Sequence, residues 1–233
     1  MGIIIAMKKN VSCIIPFYNE ANRIGAVLKE IIKVKNISEI IAVDGGSTDQ
    51  GLEFIKRNFP QIKLIKMSKN LGKTEAVKEG LRKAICDYNL LLDADLLNLK
   101  KAEIEFVIDK IFQHPEIDMV ILKRTNTPFF SRLIRSDLVF SGERIIKKKD
   151  LENILDLKPS KYQLEIATNK YMIDNQKKTY WFACSTENTP KTEKSGLLTG
   201  LIGELKMKIN VISYDFIGYH WQILFFCRQK APF

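Results

Sequence analysis

Asp93 and Asp95 follow the apolar run Leu90-Leu91-Leu92 with only Ala94 between them. Alternation along an extended chain would point both carboxylates to the same side. Two anions so placed repel each other unless a cation or a donor-rich ligand lies between them. That pairing suits Mg2+ or Mn2+ held against a diphosphate. The same residues also read as a strand-to-loop junction with solvated carboxylates, and the pair alone does not separate the two readings.

Two more stretches carry chemistry-bearing residues. Asp44-Gly45-Gly46-Ser47-Thr48-Asp49 sets an acid before two glycines. The glycines permit a tight turn and the close approach of a flat ligand. Ser47, Thr48 or Asp49 can cap a following helix, which leaves Asp44 free to accept a hydrogen bond from a base or ribose. A plain turn with an N-cap explains the stretch equally well. Gly72-Lys73-Thr74 has the end of a phosphate loop, but the first glycine of that loop would fall at position 67, which is Met67. A Walker NTPase is thereby disfavoured, and the Gly-x-Gly-x-x-Gly dinucleotide fingerprint is missing. Lys73 at a helix start can still reach a phosphate or ribose, or be an exposed surface lysine.

The elements that must position these residues alternate. Strand patterns at Val11–Ile15, Glu39–Val43, Ile62–Met67, Asn89–Leu92 and Met119–Leu122 are separated by helical patterns. The helices run over Ala21–Lys33, from Asp49 through Phe59, over Lys73–Ala84 and around Ile104–Ile111. Repeated strand–helix–strand units imply an α/β fold with a mostly parallel central sheet and helices on both faces. Ligands of such sheets lie beyond the carboxyl ends of the strands. Pro16-Phe17-Tyr18-Asn19-Glu20, Asp44–Asp49, Asn70–Lys73 and Asp93–Asp95 all fall at those ends, and four polar loops in register make a site. Beyond about residue 125 the pattern breaks. Phe129–Phe140, Lys148–Leu155, Tyr162–Asn175, Glu193–Lys208 and Tyr214–Phe226 read as helical, and Thr179–Ser185 as a strand.

The chain has 233 residues, 45% of them hydrophobic and 27% charged, which is enough for a packed core without metals or disulfides. Cys13, Cys86, Cys184 and Cys227 lie far apart, arguing against a zinc site or a disulfide framework and for reduced thiols in a cytoplasmic protein. The formal charge of +10 favours anionic partners. No interleaving of basic and aromatic residues suggests nucleic-acid binding. No apolar run approaches the length of a membrane span, and Met1–Met7 is too short for a signal peptide core. We expect a cytoplasmic protein, with peripheral contact at the inner face of the membrane as an option, since Trp221–Phe226 is apolar and followed by Arg228 and Lys230.

Ile14–Glu20, Val43–Asp49, Asn70–Lys73 and Leu92–Asp95, in this order and spacing, resemble the family 2 glycosyltransferases of GT-A fold. Ser141-Gly142-Glu143-Arg144 and Leu164-Glu165-Ile166 are similar to weaker acceptor-side motifs of the branch with polyprenyl-phosphate sugar synthases and glucosyl-phosphoglycerate synthases. The resemblance implies one GT-A domain over 1–233, with a nucleotide-sugar-binding half at about 10–125 and an acceptor-side half at about 126–233. It implies a nucleotide-sugar donor, UDP- or GDP-linked, with its diphosphate on Mg2+ or Mn2+. The acceptor would be a polyprenyl phosphate, a glycan or a small metabolite.

Carried over by position, Pro16, Tyr18, Glu20 and Asp44 would line the nucleoside pocket. Lys73 would lie near the ribose or base, and Arg144 would belong to the donor site. Asp93 would meet the ribose or metal, and Asp95 would ligate the metal directly. Many family members have a second acid where this chain has Gly45, which leaves base recognition to Asp44 and Glu20. A departing sugar needs its diphosphate neutralised, and the acceptor hydroxyl needs a base, for which Glu165 and Glu143 are the candidates. His220, beside Tyr219 and Trp221, would complete the metal shell as a late histidine does in some GT-A enzymes, or would be a structural histidine.

Lys191 and Lys194, ahead of Gly196, Gly200 and Gly203, could hold a phosphate or be surface charge. Two rival functions remain at this level. A nucleotidyltransferase also pairs carboxylates on a metal, but its first loop is usually glycine-rich and basic, unlike Pro16–Glu20. A non-catalytic anion- or membrane-binding module would owe its binding to the basic charge and lose it with salt.

Overall fold

The computed structural model describes residues 10–125, 136–160, 163–188, 222, 226, 227 and 229–233. In the first half β1 (Val11–Phe17), β2 (Ile37–Asp44), β3 (Lys63–Lys66) and β4 (Tyr88–Leu91) alternate with α1 (Ile24–Ile31), α2 (Gly51–Asn58) and α3 (Lys73–Lys83). A short β5 (Leu96–Leu97), α4 (Lys101–Gln113) and β6 (Met119–Arg124) follow. The second half contains α5 (Ser136–Val139), β7 (Arg144–Lys147), α6 (Lys148–Asp156), α7 (Leu164–Asp174), β8 (Thr179–Cys184) and β9 (Glu187–Asn188).

Seven strands form one sheet in the order β3-β2-β1-β4-β7-β6-β8, and β5 pairs with β9 in a separate ribbon. The β3, β2, β1 and β4 strands run parallel, as do β6 and β8, whereas β7 is antiparallel to both its neighbours. Both sheet faces are covered. Val11, Cys13 and Ile15 of β1 join α1, Ile55 of α2, and α4 in one core, while Ile14 joins α3, α6 and α7 in the other. Burial on two faces is why these strands read as continuous apolar runs rather than alternating ones. Ile24, Val27, Leu28 and Ile31 make the single buried stripe that fixes α1.

The strand β7 was not legible. Its Arg144 and Lys147 end a run of only four residues, and the polar ends mask it. It matters for function because an antiparallel strand starts where its parallel neighbours end. Arg144 sits opposite Leu91 of β4 and Ile121 of β6, so residues 141–143 enter the carboxyl edge of the sheet. A second difference concerns the acids. β4 ends at Leu91, and residues 94 and 95 form a turn. The same-side expectation for Asp93 and Asp95 assumed extended backbone, and the chain leaves that conformation before Asp95. Of the expected helix Phe129–Phe140, only Ser136–Val139 falls among the described residues as helix; 129–135 lie outside them, as do Glu193–Lys208 and most of Tyr214–Phe226. No helix among the described residues is long and apolar enough to cross a membrane.

Candidate functional site at the carboxyl edge of the sheet

The loops after β1 and β2 are sewn together. Asn19 donates its backbone N–H to Ser47 Oγ at 2.9 Å and accepts the Thr48 N–H on Oδ1 at 2.9 Å. Asp49 accepts the Ala21 N–H at 2.9 Å and the Gly51 N–H at 3.0 Å, so its carboxylate joins two loops as well as starting α2. Gly46, at φ +86°, rests on the backbone of Lys69 and Asn70, where any side chain would collide at 3.1 to 3.2 Å. Three loops are thereby held as one rim.

Asp44 lies at the bottom of this rim, buried to 1% exposure. Its Oδ1 accepts the Ser47 N–H at 2.8 Å, and its Oδ2 is buried with no hydrogen-bond partner among the described residues. A buried acceptor without a donor is costly, and a ligand N–H or O–H is one way to satisfy it. Pro16 is buried in β1 opposite Val43, and Tyr18 is 43% exposed at the rim beside Gly45. A larger residue at Gly45 would press on the Phe17 carbonyl at 3.3 Å and on Tyr18. Glu20 forms a salt bridge with Arg23.

The centre of the edge is a charge cluster. Lys73, first residue of α3, places its ammonium 2.6 Å from Asp93 Oδ1 and 2.8 Å from Glu165 Oε1. Burial alone would push this ammonium toward the neutral form, but the two carboxylates outweigh it and raise its pKa above the usual lysine value. Asp93 and Glu165, far apart in sequence, therefore meet through one cation. Asp95 is buried beside them in the chain, immediately before β5.

Glu143 is fully buried. Its Oε2 accepts the Ser141 hydroxyl at 2.8 Å, and its Oε1 has no hydrogen-bond partner among the described residues. Burial, then the Asp93 charge, raises its pKa against the opposing pull of Arg124, Lys73 and Ser141. Arg144 is buried too, and its guanidinium faces inward. It donates to the Ser141 carbonyl at 2.7 Å, to Asn169 Oδ1 at 2.7 Å and to the Val139 carbonyl at 3.3 Å. Burial lowers its pKa to about 10, which still leaves it charged at neutral pH. Asn169 passes the connection on by donating to Gln222 Oε1 at 3.0 Å.

Asp44, Lys73, Asp93, Glu165, Glu143 and Arg144 thus gather at one edge, with Pro16, Tyr18 and Glu20 on the adjoining rim. His220 lies outside the described residues, as do Lys191 and Lys194. Among the described residues no group of three or more His, Cys, Asp or Glu side chains could hold a metal. The sequence reading missed Asn169, whose only signal is an asparagine in the middle of a helix, and took Gly142 only as part of the Ser141–Arg144 motif.

Comparison with known proteins adds the family. Residues 12–172 match the family described as Glycosyl transferase family 2. A dolichyl-phosphate beta-glucosyltransferase of Saccharomyces cerevisiae is 34% identical over 157 residues, covering 62% of this chain and 46% of the yeast protein. An undecaprenyl-phosphate 4-deoxy-4-formamido-L-arabinose transferase of Pectobacterium atrosepticum is 34% identical over 98 residues, 39% of this chain and 30% of that one. The chain thus spans less than half the length of these relatives. Among solved structures, glucosyl-3-phosphoglycerate synthase of Mycobacterium tuberculosis with Mn2+, UDP and phosphoglyceric acid superposes with TM-score 0.67 at 18% identity, over 88% of this chain and 78% of that one. A mannosyltransferase of Pyrobaculum calidifontis with GDP-Man and Mn2+ gives 0.69 at 20% identity, over 89% and 64%. At these identities the likeness establishes the fold, which is GT-A.

Proposed function

Because the chain belongs to glycosyl transferase family 2, we propose that it moves a sugar from a UDP- or GDP-linked donor to a phosphate-bearing acceptor, with inversion and with a divalent metal. The observation that carries this reading is the Lys73 bridge, which sets a donor-side acid and an acceptor-side acid within reach of one ammonium. The rim would take the nucleoside: Asp44 Oδ2 accepts an N–H of the base, Tyr18 offers its ring, and Pro16 and Glu20 bound the pocket. Related proteins named for dolichyl and undecaprenyl phosphate, and a neighbour bound to phosphoglyceric acid, support an acceptor bearing phosphate, as does the net charge of +10.

Asp93 and Asp95 offer carboxylate oxygens, the donor set Mg2+ or Mn2+ takes when a diphosphate supplies most of its remaining ligands. Once bound there, such an ion would neutralise charge on the departing diphosphate. Lys73 adds positive charge at the same place. The acceptor oxygen attacks the anomeric carbon from the side opposite the diphosphate, the sugar–phosphate bond breaks, and configuration inverts. Where the acceptor is a hydroxyl, Glu165 takes its proton. Glu143, buried behind Asp93, acts by holding the 141–143 loop rather than as the base. We assign the reaction to the cytoplasm, at the inner face of the membrane if the acceptor is a lipid, and the acceptor-side half to the residues after about 125.

The test is a panel of UDP- and GDP-sugars with Mn2+, scored for nucleoside diphosphate released only when a polyprenyl phosphate or phosphoglycerate is added. Release of pyrophosphate would instead identify a nucleotidyltransferase. Absence of turnover across the panel, with anion binding that salt abolishes and Mn2+ does not affect, would overturn the reading in favour of a binding module.

A further inference from the structure

We propose that Gly142 is a positioning residue of this site, its missing side chain forming the seat that keeps the Lys73 ammonium between Asp93 and Glu165. The functional part rests on the reading above; the geometry does not. A Cβ at position 142 would overlap Lys73 Nζ well inside contact distance and stand 3.2 Å from both Asp93 Oδ1 and Oδ2. These three nearest atoms all belong to the ion pair, so Lys73 and Asp93 are what a side chain there would meet first.

The seat is needed because Lys73 is in an awkward place for a cation. It is the first residue of α3, where the helix dipole disfavours positive charge. Only close approach to both carboxylates holds it there, at 2.6 and 2.8 Å. The backbone at position 142 makes no demand for glycine, since Gly46 and Gly72 are the glycines with positive φ among the described residues. Alanine can therefore adopt the same backbone, and the group it displaces is the tip of a flexible side chain. Gly142→Ala should preserve the fold while evicting the ammonium. Glu165 would then lose the contact that ties α7 to Asp93, and misplacement of about 1 Å in such a constellation can cost about a hundredfold in rate.

The experiment labels amines with a reactive ester on the whole chain, without donor or metal, and follows Lys73 by mass spectrometry. In the wild type, Lys73 should label far more slowly than exposed lysines. In Gly142→Ala its rate should rise toward that of the exposed lysines, because the displaced amine leaves its seat between Asp93 and Glu165 and meets the reagent. Other lysines should not change. In transfer assays Lys73→Ala combined with Gly142→Ala should lose no more activity than Lys73→Ala alone, since both remove the same contact. Should Gly142→Ala fail to fold, the double variant, freed of the overlap, should fold again. The proposal is overturned if Lys73 of Gly142→Ala labels at the wild-type rate, if the two losses multiply, or if the double variant does not rescue a misfolded single one. Absence of transfer in the wild type would sink the glycosyltransferase reading, and labelling and rescue would still decide whether Gly142 seats Lys73.

Discussion

β2 carries a buried acid near each of its ends, and the two are built differently. Glu39, near the amino end, accepts the Ser12 hydroxyl at 2.6 Å and the Ile85 N–H at 2.7 Å on Oε1, and Lys63 at 2.5 Å on Oε2. Asp44, at the carboxyl end, accepts one N–H on Oδ1 and, among the described residues, nothing on Oδ2. One carboxylate is saturated by its own protein, the other is left with capacity. A saturated buried acid is costly to strip of its partners, whereas an unsaturated one lowers stability until a ligand arrives. A second pair of acids shows the same contrast. Asp118 at the amino edge takes Lys147 Nζ and the Lys178 N–H, one on each oxygen, while Glu143 at the carboxyl edge keeps Oε1 without a partner among the described residues.

Substitutions at the two edges should therefore fail in opposite ways. The largest effect is expected at the carboxyl edge. Asp95→Ala should cut transfer by about a thousandfold, the scale of losing preorganised electrostatic stabilisation, with little change in melting temperature. Stripping divalent metal with a chelator should do the same to the wild type, and added Mn2+ should restore it. If Asp95→Ala stays active, or if chelation leaves the rate unchanged, this edge is not a metal-assisted site.

Next comes the direct pairing of the two β2 acids. Asp44→Asn should weaken nucleoside diphosphate binding by about ten- to a hundredfold, the worth of one lost hydrogen bond to a charged acceptor, and leave stability unchanged or improved. Glu39→Gln should cost about 2–3 kcal/mol in denaturant unfolding and leave nucleotide affinity alone. Equal losses of stability in both would erase the distinction between them.

The smallest expected effect is a pH slope. Burial alone would raise the Glu39 pKa, but Lys63, Ser12 and the Ile85 N–H together hold it below the usual value. A carboxyl lowered in the folded state contributes stability above its unfolded pKa of about 4.3, and loses it as pH falls through the folded value. Unfolding free energies measured from pH 6 down to pH 3 should fall more steeply for the wild type than for Glu39→Gln. Parallel slopes would show that Glu39 is not the group responsible.

The parallel half of the fold was legible because apolar runs, helical stripes and polar loops agree over residues 10–125, and β1 to β4 and β6 lie where those runs predict. The second half was harder for a physical reason. β7 is four residues long, antiparallel, and framed by charges that serve the site rather than the sheet. Among the candidate site residues, Asp44, Lys73, Asp93 and Glu165 stand out by type and position, and the fold brings them to one edge. Their partnerships do not stand out in the sequence, since the Lys73–Glu165 contact joins residues 92 apart in the chain. Arg144 was expected to face the donor, and its inward hydrogen bonds to residues 139, 141 and 169 follow from burial that no local pattern signals. Gly142 was legible only as a member of the Ser141–Arg144 motif, because the role we propose for it is to leave space.

The central claim is that the carboxyl edge keeps a buried acceptor, Asp44 Oδ2, for a nucleoside diphosphate that binds together with a metal. Titration calorimetry of UDP and GDP into the wild type and Asp44→Asn, with and without Mn2+, tests it most directly. The account predicts micromolar binding of one nucleotide that needs Mn2+ and weakens at least about tenfold in Asp44→Asn. Binding that ignores both the metal and the substitution, or no binding of either nucleotide, would contradict it.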